Sequence, residues 1–322
     1  KKVLVRNMNK MRNVSIPKEV MTTNIDEIII DPEIQIIVEL IGGLDPAYDY
    51  MKRAIESGKH VVTANKAVIA TYGSELFSLA KKNRVEIRFE GSVGGGIPII
   101  STLTKSLAGN QIDEIIGIIN GTTNYILTQM SQNGMAFDEA LRLAQINGYA
   151  EADPSSDIEG EDAAFKLAIL AAISFGIHID PNKIPREGIM KISEAEIQYA
   201  AHLGYTVKLL ATAKKQGDNL QIHVHPALVP NHHPLAAVSN EFNALFIRGN
   251  AVGELMLYGK GAGSLPTGSA VVGDILDVVK HIRYSIELGE GFVANGRKLN
   301  LIGEGEGFYY IRLQVVDKPG VL

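Results

Sequence analysis

The chain has 322 residues, 46% of them hydrophobic and 21% charged, with a formal net charge of −5. That length suits two or three globular domains, and a mildly acidic balance offers nothing to nucleic acid or to an anionic membrane surface. Cysteine is absent, which removes disulfides, cysteine-ligated zinc and thiol nucleophiles together and fits a cytoplasmic protein; no apolar run approaches a membrane span, and no signal-peptide pattern opens the chain.

Residues 2–6 read as a short strand. Ile34–Ile41 is a β-branched run ending in Gly42-Gly43, the pattern of a buried strand followed by a glycine turn. A helix is predicted over Pro46–Ser57, with Pro46 near its first turn and Gly58 placed to end it. His60–Thr63 is a strand, Glu75–Lys82 a helix and Val85–Phe89 a strand. This alternation predicts a parallel sheet with helices on both faces, a Rossmann-type α/β domain. Such a domain opens with a Gly-rich loop at a helix N-terminus. No GxGxxG lies near residue 1, so the fold is expected to begin at its second strand, with the first strand and helix missing.

Beyond residue 95 the pattern changes. Pro98–Leu107 reads as a helix and Ile112–Ile119 as a strand. Phe137, Ala140, Leu141 and Ala144 fall at helical spacing, closed by Asn147-Gly148. A further helix is predicted over Ile158–Phe175. Tyr205–Ala213 and Leu220–Leu228 flank Gly217-Asp218-Asn219 as a hairpin. Phe242–Ile247 and Ala251–Tyr258 read as strands and Ser269–Ile282 as a helix. Antiparallel strands with helices on one side predict an α+β second domain. The expected organisation is a nucleotide-binding domain over 1–95, completed by about 259–285, and a substrate and dimerisation domain over 96–258. A linker and the start of a third domain follow over 304–322. Both ends of the chain read as cut.

Several stretches carry chemistry. TANK at 63–66 ends a strand, where ligands of open parallel sheets sit; Lys66 reads equally as a solvated loop residue. EGSVGGGIP at 90–98 can turn carbonyls inward around a cation or serve as a tight connection. Thr122, Thr123 and Asn124 in NGTTNYI are expected to cap a helix. GYAEADPSSDIEGEDAAFK at 148–166 gathers Glu151, Asp153, Asp157, Glu159, Glu161 and Asp162 before Lys166. Asp162 and Lys166 are four apart and share a helix face. The apolar surroundings of Lys166 predict desolvation and a pKa lowered toward neutrality, suited to a general acid or base; an exposed salt bridge is the alternative. GKGAGSLPTGSAVVGDIL at 259–276 leads a glycine-rich loop into a helix capped by Ser264 or Thr267. His223 and His225 share a strand face, and His232-His233 follow, without a further obvious ligand set for a metal.

Together, VELIGG at 38–43, HVVTANKA at 60–67, EGSVGGGIPII at 90–100, NGTTNYIL at 120–127, GYAEADPSSDIEGEDAAFKLAIL at 148–170 and GKGAGSLPTGSAVVGD at 259–274 resemble the homoserine dehydrogenase family along almost the whole chain. DKPGVL at 317–322 resembles the start of an ACT domain. The resemblance implies interconversion of L-homoserine and L-aspartate 4-semialdehyde with NADP or NAD, on the way to threonine, methionine and isoleucine. It implies catalytic roles for Lys166 and Lys66, and substrate binding by Glu151, Asp162, Gly148 and Asp157. It further implies cofactor contacts from Ile41, Gly42, Ala64, Lys66 and Gly263, and a sodium-type cation held by Glu90, Val93, Gly95 and Ile97. A homodimer is expected, with threonine a candidate effector at the ACT domain. Phe165 departs from relatives that carry Arg there. Arg6 and Lys10–Arg12 lean toward a 2′-phosphate and hence NADP. The missing cysteine excludes an acyl-thioester route, whereas reducing an aldehyde to an alcohol needs no thiol. The rival readings are a related dehydrogenase of another small polar substrate, a non-catalytic amino-acid sensor, and fusion to an aspartate kinase.

Overall fold

The computed structural model describes residues 1–284, 299–303, 308–313, 315, 316 and 318. β1 (Val3–Leu4) pairs in parallel with β2 (Met21–Thr22), and α1 (Asp26–Ile29) follows. β3 (Ile36–Glu39), β4 (His60–Thr63) and β5 (Ile87–Arg88) form a second parallel sheet in that order. α2 (Ala47–Glu56) joins β3 to β4, and α3 (Lys66–Asn83) joins β4 to β5. The strands are shorter than the apolar runs at 2–6, 34–41 and 85–89 suggested. α3 is longer than expected. It starts at Lys66, because the Asn65 side chain accepts a hydrogen bond from the Val68 amide and caps the helix there.

The expected helix over 98–107 survives as one α turn, α4 (Ile99–Ser101), followed by a π-helical stretch over 102–106. Thr102 Oγ1 bonds back to the Pro98 carbonyl and Thr104 Oγ1 to that of Ile100, side-chain competition that loosens the helical ladder. Then come β6 (Ile112–Ile118), α5 (Gly121–Asn133), α6 (Phe137–Ile146), α7 (Ser155–Ile158) and α8 (Glu161–Phe175). The predicted single helix over 158–175 is divided at Gly160, whose φ of 82° leaves the right-handed helical region. α9 (Glu194–His202) was not expected, although its capping box is written in the sequence as Ser193-x-x-Glu196.

β7 (Tyr205–Gln216) and β8 (Asn219–Pro230) form the expected hairpin, joined by Gly217-Asp218. β9 (Phe242–Gly249) and β10 (Gly253–Lys260) form another. α10 (Ser264–Tyr284) and β11 (Asn300–Ile302) follow. The larger sheet runs β10-β9-β6-β7-β8-β11, antiparallel except for β11 beside β8. Leu209, Ala211, Ile222 and Val224 face α8 and belong to the main core with Leu167 and Leu170. The opposite face carries a smaller cluster of Ile118, Ala244 and Phe246, closed by Leu235 and Val238.

α10 returns to the three-stranded sheet. Alternation decides the packing: Val61 faces the α2 and α3 side, and its neighbour Val62 meets Val271 and Val278 of α10. The parallel sheet is thus covered on both faces, as expected. The predicted linker at 304–307, residue 285, and Asp317, Pro319 and Gly320 of the ACT-like turn lie outside the described residues.

Candidate active site

The carboxyl end of β6 and the N-termini of α3, α5 and α8 meet around one buried carboxylate, Asp162. Asp162 Oδ2 accepts from Lys166 Nζ at 2.6 Å and from Asn120 Nδ2 at 2.9 Å, and Oδ1 faces Lys66 Nζ at 3.0 Å. Its place in the first turn of α8 adds the favourable end of the helix dipole. Lys166 also donates to the Ile119 carbonyl at 2.8 Å. Its side chain is 12% exposed, so the pair is not the solvated surface bridge that the spacing alone allowed. Lys66, opening α3, is 42% exposed and forms the open side of the cluster.

Burial alone would push the Asp162 carboxyl up. The charges of Lys166 and Lys66, with hydrogen bonds from Lys166 and Asn120, outweigh burial and hold it well below the usual carboxylate range. Burial alone would lower the Lys66 ammonium, but Asp162, with Asp157 and Glu151 further away, holds it above its ordinary value. The cluster is therefore one anion between two cations, with further negative charge beyond Lys66.

Asn120 links the parts. Its Oδ1 accepts from the Thr123 amide at 2.8 Å and caps α5, while Nδ2 reaches Asp157 Oδ1 at 2.6 Å as well as Asp162. The cap expected from Thr122, Thr123 or Asn124 thus falls two to four residues earlier. Those three lie inside the helix, and Thr122 Oγ1 bonds Asp157 Oδ2 at 3.0 Å and the Tyr149 carbonyl at 2.6 Å. Asn120 was legible as an asparagine at a strand-to-helix junction. The Ile119 carbonyl carried no sequence signal. Gly148, with φ of 75°, and Glu151 lie on the exposed segment between α6 and α7. The Glu151 charge reaches Lys66, but its carboxylate joins no ion pair among the described residues.

The cofactor candidates gather at the carboxyl ends of β3 and β4. Glu39 accepts from Thr63 Oγ1 at 2.7 Å and from the Ile41 amide at 2.6 Å, and Asn65 Nδ2 donates to the Gly43 carbonyl at 2.8 Å. These bonds fix the turn at Ile41-Gly42. A Cβ on Gly42 would meet nothing within 4 Å, so the turn borders open space, as a ligand cradle needs. Ala64 sits against Gly91, beside Thr267 of α10.

The two glycine-rich loops interlock. The Gly96 amide donates to the Lys260 carbonyl at 3.1 Å. A Cβ on Gly95 would stand 2.6 Å from the Gly261 carbonyl oxygen. Gly95 also has φ of 52°. Gly95→Ala is therefore expected to cost about 1–3 kcal/mol, read as a fall in thermal midpoint, with cofactor affinity reduced because loop 259–263 must move. Both Glu90 carboxylate oxygens accept backbone amides, from Ile100 at 2.7 Å and Ser101 at 2.8 Å. The Glu90 amide in turn donates to Asp274 Oδ2 of α10 at 2.8 Å, and burial pushes Asp274 up to about 6. Both Glu90 carboxylate oxygens are thus engaged by amides of the chain itself, and Val93, Gly95 and Ile97 of the same loop are buried. The His223 and His225 rings stack 4.2 Å apart on β8. Among the described residues no group of three His, Asp or Glu side chains is placed to hold a metal ion.

Known proteins share this sequence and fold. A family model described as homoserine dehydrogenase matches residues 98–276, and one described as the NAD binding domain of homoserine dehydrogenase matches residues 1–90. The chain is 45% identical over 322 residues to a homoserine dehydrogenase of Bacillus subtilis, covering 99% of this chain and 74% of that protein. It is 49% identical over 291 residues to one from Synechocystis, covering 89% and 67%. A crystal structure of a homoserine dehydrogenase from Thiobacillus denitrificans superposes with a TM-score of 0.83 at 45% identity, covering 88% of this chain and 67% of that one. A hyperthermophilic archaeal homoserine dehydrogenase in complex with NADPH superposes with a TM-score of 0.70 at 35% identity, covering 81% and 76%.

Proposed function

The chain belongs to the homoserine dehydrogenase family, and from that premise we propose that it interconverts L-homoserine and L-aspartate 4-semialdehyde at the Lys166–Asp162–Lys66 cluster. It is an NAD(P)-dependent oxidoreductase. The observation that carries the site assignment is a single buried aspartate holding two lysines where the glycine turns of the parallel sheet meet the substrate-side helices.

When bound, a nicotinamide cofactor would supply the hydride for the substrate carbon and be left oxidised, or accept it in the reverse direction. The protein must then manage the proton and the charge on oxygen. Asp162 and the Ile119 carbonyl hold the Lys166 ammonium in place. That form suits donation to the aldehyde oxygen as negative charge develops there. The products are the alcohol and a neutral Lys166, which regains its proton from solvent. Oxidation of the alcohol reverses each transfer. Lys66 adds a second positive charge on the open side. Glu151 and Asp157 supply negative charge for the substrate ammonium, and Gly148 lets the substrate approach the backbone. Ile41, Gly42, Ala64 and Gly263 would border the cofactor.

The finer reading covers residues 1–95 with 259–285 as the nucleotide-binding unit and 96–258 as the substrate and dimerisation unit. It includes a sodium-type cation at Glu90, Val93, Gly95 and Ile97, a cytoplasmic homodimer, and an ACT domain with threonine as effector. It places the reaction on the route to threonine, methionine and isoleucine. NADP is favoured over NAD because Arg6 and Lys10 are exposed after β1. Arg12 instead folds back on the carbonyls of Asn7 and Lys10.

The test is loss of reduced-nicotinamide absorbance on adding L-aspartate 4-semialdehyde, with NADPH and NADH in parallel. Turnover supports the reading. Cofactor binding without turnover of this aldehyde favours the sensor or another dehydrogenase.

A further inference from the structure

Lys208 on β7 is a buried lysine that the chemistry above does not use. Its exposure is 2%, and burial lowers its pKa to about 8. No carboxylate contributes to that shift. Its ammonium donates to Asn124 Oδ1 at 3.0 Å and, at short range, to the Val238 carbonyl. Asn124 is itself buried in α5. Its Nδ2 faces three carbonyls of one short segment, Asn240 at 2.9 Å, Phe242 at 3.1 Å and Val238 at 3.3 Å. Lys208 and Asn124 thus cross-brace the segment 238–242 onto α5. A buried charge among neutral acceptors is a costly way to fill space. A methionine would occupy similar volume without that cost, so the particular yield of the lysine is geometric.

What the brace holds lies next to the cluster. The Glu241 carbonyl abuts Gly121, the first residue of α5, where a Cβ would stand 2.8 Å away. The Asn240 amide donates to Thr128 Oγ1 at 3.0 Å. Glu241 also reaches the Tyr149 side chain, and the Tyr149 carbonyl accepts from Thr122. One helical turn before Asn124 stands Asn120, which holds Asp157 and Asp162, and before it the Ile119 carbonyl, which orients Lys166.

We propose that Lys208 is a positioning residue: through Asn124 and the 238–242 segment it sets the N-terminus of α5, and so the placement of Asp162 and Lys166 for proton transfer. The inference rests on the dehydrogenase reading for its kinetic test. Lys208→Met is expected to lower kcat by roughly tenfold to a hundredfold, the scale of a sub-ångström to ångström misplacement. The KM for cofactor should stay within about twofold, because the glycine turns are not touched. Asn124→Ala should lower kcat similarly. The double variant should fall no further than the worse single one, since both act through one brace. Lys208→Met with unchanged kcat, or effects that multiply in the double variant, overturns the proposal.

Hydrogen exchange on Lys208→Gln supplies a readout independent of turnover, and it serves if the methionine variant does not fold. Faster exchange of the amides of 121–124 and of 239–242, with β10 and β4 unchanged, supports the brace. Unchanged exchange in both segments sinks it. Wild-type protein that fails to turn over the substrate would count against the dehydrogenase reading, and the exchange result would still decide the brace.

Discussion

Replacing Lys166 with methionine is expected to lower kcat by about a hundredfold to ten-thousandfold, the usual yield of a positioned general acid or base. Lys166 bonds Asp162 at 2.6 Å and the Ile119 carbonyl at 2.8 Å and is nearly closed off from solvent, so water cannot readily replace it at the substrate oxygen. Methionine preserves the volume and the apolar contacts along α8. The far-ultraviolet dichroism should be unchanged, and cofactor affinity should move little, because the turn at Ile41-Gly42 is fixed by Glu39 and Asn65. A kcat within tenfold of wild type at equal folding would remove Lys166 from the proton-transfer role.

Asp162→Ala is expected to damage both stability and activity. The side chain is buried, and its two oxygens hold two ammonium groups and the Asn120 amide. Breaking a buried ion pair from one side typically costs about 3–5 kcal/mol, here with Lys166 left without its counter-ion. Denaturant unfolding measures the loss. The pH dependence has a definite sign. The folded carboxyl lies below its ordinary value of 3.8 despite burial, because of Lys166 and Lys66. Its contribution is therefore present above the unfolded value and is lost as pH falls through the lower folded value. Wild type should thus lose stability on acidification below about pH 4 more steeply than Asp162→Asn. Parallel acid limbs for the two proteins would contradict the ion-pair account.

How much of this was readable differs element by element. The Asp162–Lys166 pair was legible because four-residue spacing puts both on one helix face, and the all-apolar run after it marked a buried helix. That Lys66 faces the same carboxylate was not, since nearly a hundred residues separate them and only the packing of α3 against α8 joins them. Asn120 was passed over because Thr122, Thr123 and Asn124 offer the same capping chemistry, and only the observed start of α5 at Gly121 singles out Asn120. The glycines at 90–98 and 259–263 were visible as flexible loops. Their mutual contact, Gly95 on Gly261, is a tertiary fact with no local signature. α9 is the opposite case, a helix whose capping box was present but whose weak apolar pattern hid it. The strand order of the larger sheet, with β6 inserted between the two hairpins, follows from packing and not from any single stretch.

The most direct test of the central claim is the appearance of reduced-nicotinamide absorbance when the protein is given L-homoserine and NADP or NAD, wild type beside Lys166→Met. The account predicts turnover by wild type and a rate lower by at least about a hundredfold in a folded, cofactor-binding variant. Equal rates in the two proteins, or cofactor binding with no oxidation of homoserine by wild type, would contradict it.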